Sequence, residues 1–247
     1  MNLDVLFVNP GNHKKIYQDL AKDYSAIETP TWSLLLAQSC RSVGYKVAIL
    51  DACAERLTDE QCVDRIKEAN PRLVCFVVYG QNPNSGTVNM SGTVAMAAAI
   101  KKAKVKIPIA VVGSHVQALP IETMENEKDI DIVFTNEGVY ALRNLLKQKS
   151  LTAPSTLQKI KGIGFRKKGK VILTPPEAIV PQAKMDTDLP GYAWDLLPYK
   201  EKPFDLYRCP MWHAEYDGEK RSPYASINSS LGCQFKCEFC MINILNR

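Results

Sequence analysis

The run Leu3-Asp4-Val5-Leu6-Phe7-Val8, closed at once by Asn9-Pro10-Gly11, is the stretch on which the fold turns. A short apolar run ended by turn residues reads as a buried strand and its turn. The same pattern recurs four times. Lys46–Leu50 ends at Asp51, and Leu73–Val78 runs into a polar loop at Gly80–Asn89. Ile107–Val112 ends at Gly113-Ser114-His115, and Asp131–Phe134 at Thr135-Asn136-Glu137-Gly138. Helical patterns lie between these runs. One is capped at Thr31 or Ser33, carries Leu34, Leu35, Leu36 and Ala37, and stops at Gly44. Another opens at Asp59 with Cys62, Val63 and Ile66 at helical spacing. A small-residue helix runs from about Met90 to Ala103, and a last one from beyond Gly138 to about Lys147.

Five βα units imply a parallel sheet with helices on both faces, because right-handed crossovers place them there. The expectation is an α/β, Rossmann-like (flavodoxin-like) doubly wound sheet of about five strands, ordered 2-1-3-4-5, over residues 1–149. Ligands of such sheets bind beyond the carboxyl ends of the strands, where the loops after strands one, three, four and five lie. Their glycines let a ligand approach the backbone closely. The first turn has no GxGxxG and the chain no GxxxxGK[ST], which argues against a dinucleotide or a P-loop nucleotide. Val78 and Tyr79 stand where a phospho-receiver would carry aspartate. A large ligand held by small polar loops remains, against the alternative that some of these loops only turn the chain.

Hydrophobic residues make up 46% of the 247 and charged residues 23%, which excludes a disordered or collagen-like chain. No run of about 18 apolar residues occurs, so no membrane span is expected. The start, Met1-Asn2-Leu3-Asp4, lacks a basic region followed by an apolar one, and a cytoplasmic location is the expectation. The net charge of +5 is too diffuse to form a nucleic-acid stripe.

Residues 150–222 read as a connector. Residues 150–160 are a linker, and Gly162–Arg166 with Val171–Thr174 form a hairpin around the solvated tip Lys167-Lys168-Gly169-Lys170. Pro175 to Pro223 holds 8 of the 15 prolines, which excludes regular helix or central strand. With Trp194, Leu197, Tyr199, Phe204, Tyr207 and Trp212 it reads as an extended strap packed between two domains, the tryptophans serving as packing anchors.

Cysteine placement carries the sharpest signal. Cys40, Cys53, Cys62 and Cys75 sit among apolar neighbours and read as small buried hydrophobes. Near the other end, Tyr224–Ser230 reads as a strand, and Cys233, Cys237 and Cys240 follow in C-x3-C-x2-C spacing. Three thiolates on one short loop can hold one metal centre. Structural zinc takes four protein ligands, and Cys209 or His213 is available as a fourth. Three cysteines can instead hold three irons of a 4Fe-4S cluster and leave the fourth open to a chelating small molecule. Spacing alone leaves iron–sulfur, zinc and chance open.

The cysteine spacing, with Phe239 just before the last cysteine and Ser230-Leu231-Gly232 ahead of the first, resembles the signature of radical S-adenosylmethionine (radical SAM) enzymes. The upstream chain resembles their cobalamin-binding subgroup, through Pro30–Asp51, Val112-Gly113-Ser114-His115 with Pro120, Asp131–Gly138 and the Ile163-Gly164-Phe165-Arg166 hairpin. The resemblance implies that Cys233, Cys237 and Cys240 ligate a 4Fe-4S cluster. S-adenosylmethionine would chelate the open iron, and one electron would cleave its sulfonium to methionine and a 5′-deoxyadenosyl radical. Thiolate-rich clusters reach the low potentials this needs. Cobalamin would sit above the sheet, contacted by Gly80, Gln81, Asn82, Ser85, Gly113, Ser114, His115, Glu137 and Gly138. The implied partners are a small-molecule substrate and a low-potential flavodoxin or ferredoxin as electron donor.

Two departures from the pattern stand out. The DxHxxG motif, whose histidine ligates cobalt in other cobalamin domains, is absent, and the usual Gly-Glu-Gly-Glu is Asn136-Glu137-Gly138-Val139 here. His115 is expected to make either a loop hydrogen bond or a ligand contact. Residues 223–247 would begin the radical SAM β/α barrel, whose full size is about 250 residues. Only seven residues follow Cys240, so the expectation is the amino-terminal portion of a longer enzyme, inactive by itself and catalysing methylation, cyclisation or oxidation when whole. The competing expectation is a non-catalytic corrinoid or small-ligand binding module with a zinc-stabilised cysteine tail.

Overall fold

The computed structural model describes residues 3–11, 18, 26–79, 86–199, 206–207, 224–232, 235 and 237–239. The five expected strands are β1 (Val5–Asn9), β2 (Val47–Asp51), β3 (Val74–Val78), β4 (Ile109–Gly113) and β5 (Ile132–Phe134). They pair in parallel in the order β2-β1-β3-β4-β5. The sheet then continues. The hairpin strands β6 (Ile163–Lys167) and β7 (Lys170–Leu173) add antiparallel to β5, with Phe165 opposite Ile132 and Gly164 opposite Val133. Among the described residues the sheet has seven strands, not five, and the hairpin belongs to it. Two features seat the hairpin. Phe165 is fully buried. The Arg166 guanidinium donates to the carbonyls of Ile130 at 2.6 Å and Glu127 at 2.7 Å, and also to that of Met124, closing the turn that leads into β5.

Side chains alternate across a strand, and both faces of this sheet are covered, so the strands read as continuous apolar runs. Phe7, Cys75, Val77, Val112 and Phe134 face α1 (Thr31–Ser42) and α6 (Val139–Leu146). Val8, Val74, Phe76, Val78 and Val111 face α2 (Asp59–Ala69), α3 (Gly86–Lys102), α4 (Ser114–Ala118) and α5 (Pro120–Asn126). A full capping box starts α2: Thr58 accepts from the Gln61 amide while Gln61 reaches back to the Thr58 amide. Asn70, left-handed at φ 42°, ends it.

Several expectations change. Residues 150–160 are not a loose linker: Leu151, Leu157 and Ile160 are buried, and a helical turn, α7 (Pro154–Leu157), lies between them. The small-residue helix begins at Gly86, inside the expected loop, because Gly86 packs directly against Ser114. Ser114 and His115 start a short helix rather than a loop.

The proline-rich strap contains a helical turn, α8 (Met185–Asp188), preceded by a 3-10 turn at Gln182–Lys184, with Pro181 and Pro190 bracketing the pair. It packs along the sheet domain. Val180, Leu189 and Ala193 join the α1/α6 core, while Leu197, Leu206 and Tyr207 pack with Ile27, Leu34 and Ala54. Asp188 receives the Arg143 guanidinium at 2.9 Å and the Tyr140 hydroxyl at 2.6 Å. Trp194 packs as expected, its ring 5.1 Å from that of Tyr192; Phe204 and Trp212 lie outside the described residues. Tyr224–Ser230, expected as a strand, forms none, and among the described residues no strand pairs with it. Among the described residues no helix is long and apolar enough to cross a membrane.

Candidate cofactor site

Parallel pairing brings Asn9, Asp51, Val78, Gly113 and Phe134 to one edge of the sheet, the carboxyl edge. There the backbones converge without intervening side chains. Gly113 ends β4, and a Cβ on it would lie 2.3 Å from the Val78 carbonyl oxygen. A Cβ on Gly86 would lie 1.8 Å from Ser114 Oγ, and one on Gly92 2.6 Å from the Gly11 carbonyl. Ser114 Oγ is buried with no hydrogen-bond partner among the described residues. Such an orphan costs about 1–3 kcal/mol until a polar atom reaches it.

Around this cradle the other expected residues cluster. His115 is half-buried, its Nδ1 3.3 Å from Thr87 Oγ1. Burial lowers its pKa, so the imidazole is neutral at pH 7. Glu137 turns its main chain and side chain to different partners. Its carbonyl accepts the Trp32 indole N–H at 3.0 Å, and Oε1 accepts the Val180 amide at 2.6 Å. Burial raises the Glu137 pKa, and the amide bond opposes that shift. Gly138 takes the left-handed conformation at φ +84°, its amide donating to Asn136 Oδ1 at 3.0 Å, which aims the start of α6. Gly80, Gln81, Asn82 and Ser85 lie outside the described residues.

Sequence reasoning missed a linked polar–aromatic wall at this edge. The Trp32 and Tyr79 rings lie 5.2 Å apart, and the Gln117 amide donates to the Tyr79 hydroxyl. Burial raises the Tyr79 pKa, so the group remains a phenol. Trp32, Tyr79 and Gln117 thereby connect α1, the end of β3 and α4. The available signal was Trp32 near the start of a helix beside a ligand loop, and Tyr79 as the first residue past β3. Also missed was Asp51, whose buried carboxylate receives Asn9 Nδ2 at 2.7 Å, the Tyr207 hydroxyl at 2.9 Å and the Ala54 amide at 3.1 Å. Burial raises its pKa to about 6 in spite of these three donors.

Cys40, Cys62 and Cys75 are buried as expected, and burial pushes the Cys40 and Cys62 thiols up to about 12; Cys53 is half-buried. Cys40, Cys62 and Cys75 are inert packing groups. Cys237 is exposed, between Phe235 and the 88%-exposed Phe239. Cys233 and Cys240, like Cys209 and His213, lie outside the described residues, and no group of three metal-ligating side chains occurs among those described.

The model of the B12 binding domain family matches residues 18–146, more than half of the chain. The chain belongs to the B12-binding family. This B12-binding chain is 28% identical over 196 residues to an uncharacterized methyltransferase of Pyrococcus horikoshii, covering 79% of the chain and 37% of that protein. It is 24% identical over 238 residues to the anaerobic magnesium-protoporphyrin IX monomethyl ester cyclase of a Synechocystis species, covering 96% of the chain and 42% of the cyclase. The chain thus spans about two fifths of the curated relatives it matches.

Among solved structures, the radical S-adenosylmethionine methyltransferase TsrM from Kitasatospora setae, with cobalamin and a [4Fe-4S] cluster bound, superposes with a TM-score of 0.54 at 17% identity. That match covers 74% of this chain and 30% of TsrM. The form with tryptophan and a SAM analog bound gives 0.53 at 18% identity, over 70% of this chain and 30% of TsrM. At these identities the likeness concerns the fold: the Rossmann-like sheet is the one found in cobalamin-dependent radical SAM methyltransferases.

Proposed function

We propose that this chain is the cobalamin-binding and cluster-binding part of a radical SAM enzyme. The observation that carries the reading is the cradle of Gly86, Gly113 and Ser114 at the carboxyl edge, in a chain of the B12-binding family. The residues fit the cofactor. Close packing at Gly86, Gly92 and Gly113 brings the backbone to this edge with no side chain standing over it, and the orphan Ser114 hydroxyl can bond a polar atom there. Gly113, Ser114, His115, Glu137 and Gly138 would hold cobalamin, with Gly80, Gln81, Asn82 and Ser85 contributing from the loop after β3. Trp32 and Tyr79 would form an apolar wall against the macrocycle and exclude water, and the neutral His115 would offer a ring nitrogen without burying a charge.

Cys233, Cys237 and Cys240 would ligate a 4Fe-4S cluster, supported by their spacing. When bound, the cluster supplies one low-potential electron for cleaving S-adenosylmethionine, and cobalamin supplies a carrier for one-carbon or redox chemistry. The electron comes from a flavodoxin or ferredoxin in the cytoplasm. The whole enzyme acts on a small molecule by methylation, cyclisation or oxidation, and methylation is favoured by the methyltransferases among the relatives and fold neighbours.

Titration with hydroxocobalamin tests the first half. The expected result is saturable binding with a spectral change, weakened by Ser114→Ala, which removes the unpartnered hydroxyl without adding volume. Anaerobic reconstitution with iron and sulfide tests the second. A brown protein with about four irons is expected, and Cys237→Ala should abolish iron uptake. A colourless chain that holds one zinc and ignores Cys237→Ala would replace the cluster reading with the zinc-tail module.

A further inference from the structure

The segment leading into the cysteine loop is held by an unusual device. Over Tyr224–Ile227 the side chains alternate half-buried and exposed, as in a strand, yet among the described residues no strand pairs with it. Two side chains hold its backbone. Thr29 Oγ1 accepts the Ser226 amide at 3.0 Å and lies 3.1 Å from both the Ser226 carbonyl and its hydroxyl. Two residues on, the Tyr192 hydroxyl accepts the Asn228 amide at 2.8 Å and donates to the Asn228 carbonyl at 3.1 Å. The spacing of the two clamped residues, i and i+2, is that of alternate residues on one edge of a strand. Packing fixes both ends of the stretch: Tyr224 lies against the core of Ile27, Leu34 and Tyr207, and Leu231 against the α1/α6 core.

The clamp is placed where it links two sites. Thr29 is buried and stands three residues before Trp32, with Pro30 and the first residue of α1 between them. Trp32 bonds the Glu137 carbonyl and packs on Tyr79 at the carboxyl edge. Tyr192 belongs to the strap whose Ala193 amide bonds the Leu34 carbonyl of the same helix. The amino-terminal half of α1 thus carries a wall of the candidate cobalamin site, and the clamp residues adjoin it, Thr29 just before its start and Tyr192 through the Ala193 bond to Leu34.

We propose that Thr29 and Tyr192 are positioning residues that seat the segment leading into the cysteines against the helix that carries a wall of the cobalamin site. The inference rests on the functional reading above. Neither residue touches a cofactor; each acts through the backbone at Ser226 and Asn228.

The test uses the intact chain, reconstituted anaerobically with iron, sulfide and hydroxocobalamin, and three variants: Thr29→Val, Tyr192→Phe and, as conservative control, Thr29→Ser. Amide hydrogen exchange at Ser226 should quicken at least tenfold in Thr29→Val, and at Asn228 in Tyr192→Phe. Thr29→Ser should stay within threefold of wild type. Cobalamin affinity and iron content should stay within twofold in all three. The magnetic coupling between the reduced cluster and cob(II)alamin, read as line broadening by electron paramagnetic resonance, should be uniform in wild type and Thr29→Ser, and weakened or spread in the other two. Unchanged exchange, or unchanged broadening, in loaded Thr29→Val and Tyr192→Phe overturns the proposal while leaving the function standing. A wild-type chain that takes up neither iron nor cobalamin overturns both.

Discussion

The carboxyl edge of the sheet and the segment before the cysteines are built on opposite terms. At the edge, position comes from the backbone: parallel ladders, a core on each face, and glycines so tightly approached that a methyl group has nowhere to go. Before the cysteines, position comes from two side-chain oxygens, Thr29 Oγ1 and the Tyr192 hydroxyl. The first kind of site is fixed by folding itself. The second depends on single hydrogen bonds, each contributing about 1 kcal/mol, and can be altered without unfolding anything.

That contrast can be challenged in order of expected effect. Phe165→Ala should be the most damaging, costing about 3–5 kcal/mol in a denaturant titration, because it empties a fully buried site on the hairpin. A loss below about 1 kcal/mol would mean that the hairpin is an appendage and not part of the sheet. Gly113→Ala should cost about 3 kcal/mol and weaken hydroxocobalamin binding, since its methyl would meet the Val78 carbonyl. Unchanged stability would show that the edge yields as readily as the cysteine segment.

Asp51 sharpens the comparison through pH. Burial raises its pKa to about 6, whereas the unfolded carboxyl titrates near 3.9. The native state therefore holds the proton more tightly, and the stabilisation is full below about pH 4 and lost as pH rises through about 6. Asp51→Asn should remove that part of the stability–pH curve between about pH 4 and 6. A mutant curve parallel to wild type throughout would place the Asp51 titration elsewhere. The smallest effect is expected for Arg41→Ala. Its pair with Asp195, at 2.6 Å but with side chains 38% and 63% exposed, should change the melting free energy by no more than about 0.5 kcal/mol.

Legibility in the sequence follows the same division. The five parallel strands and their order were readable because continuous apolar runs ending in Gly, Asn or Asp have few other solutions. The short helices at Ser114–Ala118 and Pro120–Asn126 were not, since five to seven residues show too little periodicity. Pairing of the hairpin onto β5 is a long-range choice, made by Phe165 and the carbonyls that Arg166 gathers. Of the candidate site, Gly113, Ser114, His115, Glu137 and Gly138 do assemble at one edge. Trp32, Tyr79 and Gln117 escaped notice because each lies on a different element. Thr29 and Tyr192 were invisible for a further reason: Tyr224–Ser230 has the composition of a strand, and only the fold shows that two side chains hold its backbone.

The hairpin has one more consequence. Among the described residues it makes β7 one border of the sheet, and a sheet border presents amides and carbonyls that another chain can match, the first step toward aggregates. The basic turn Lys167-Lys168-Gly169-Lys170 stands at the start of that border. Three ammonium groups there would repel a second copy of the same strand, so what reads in the sequence as a merely solvated tip is also the kind of charge that keeps a strand edge from pairing with its like.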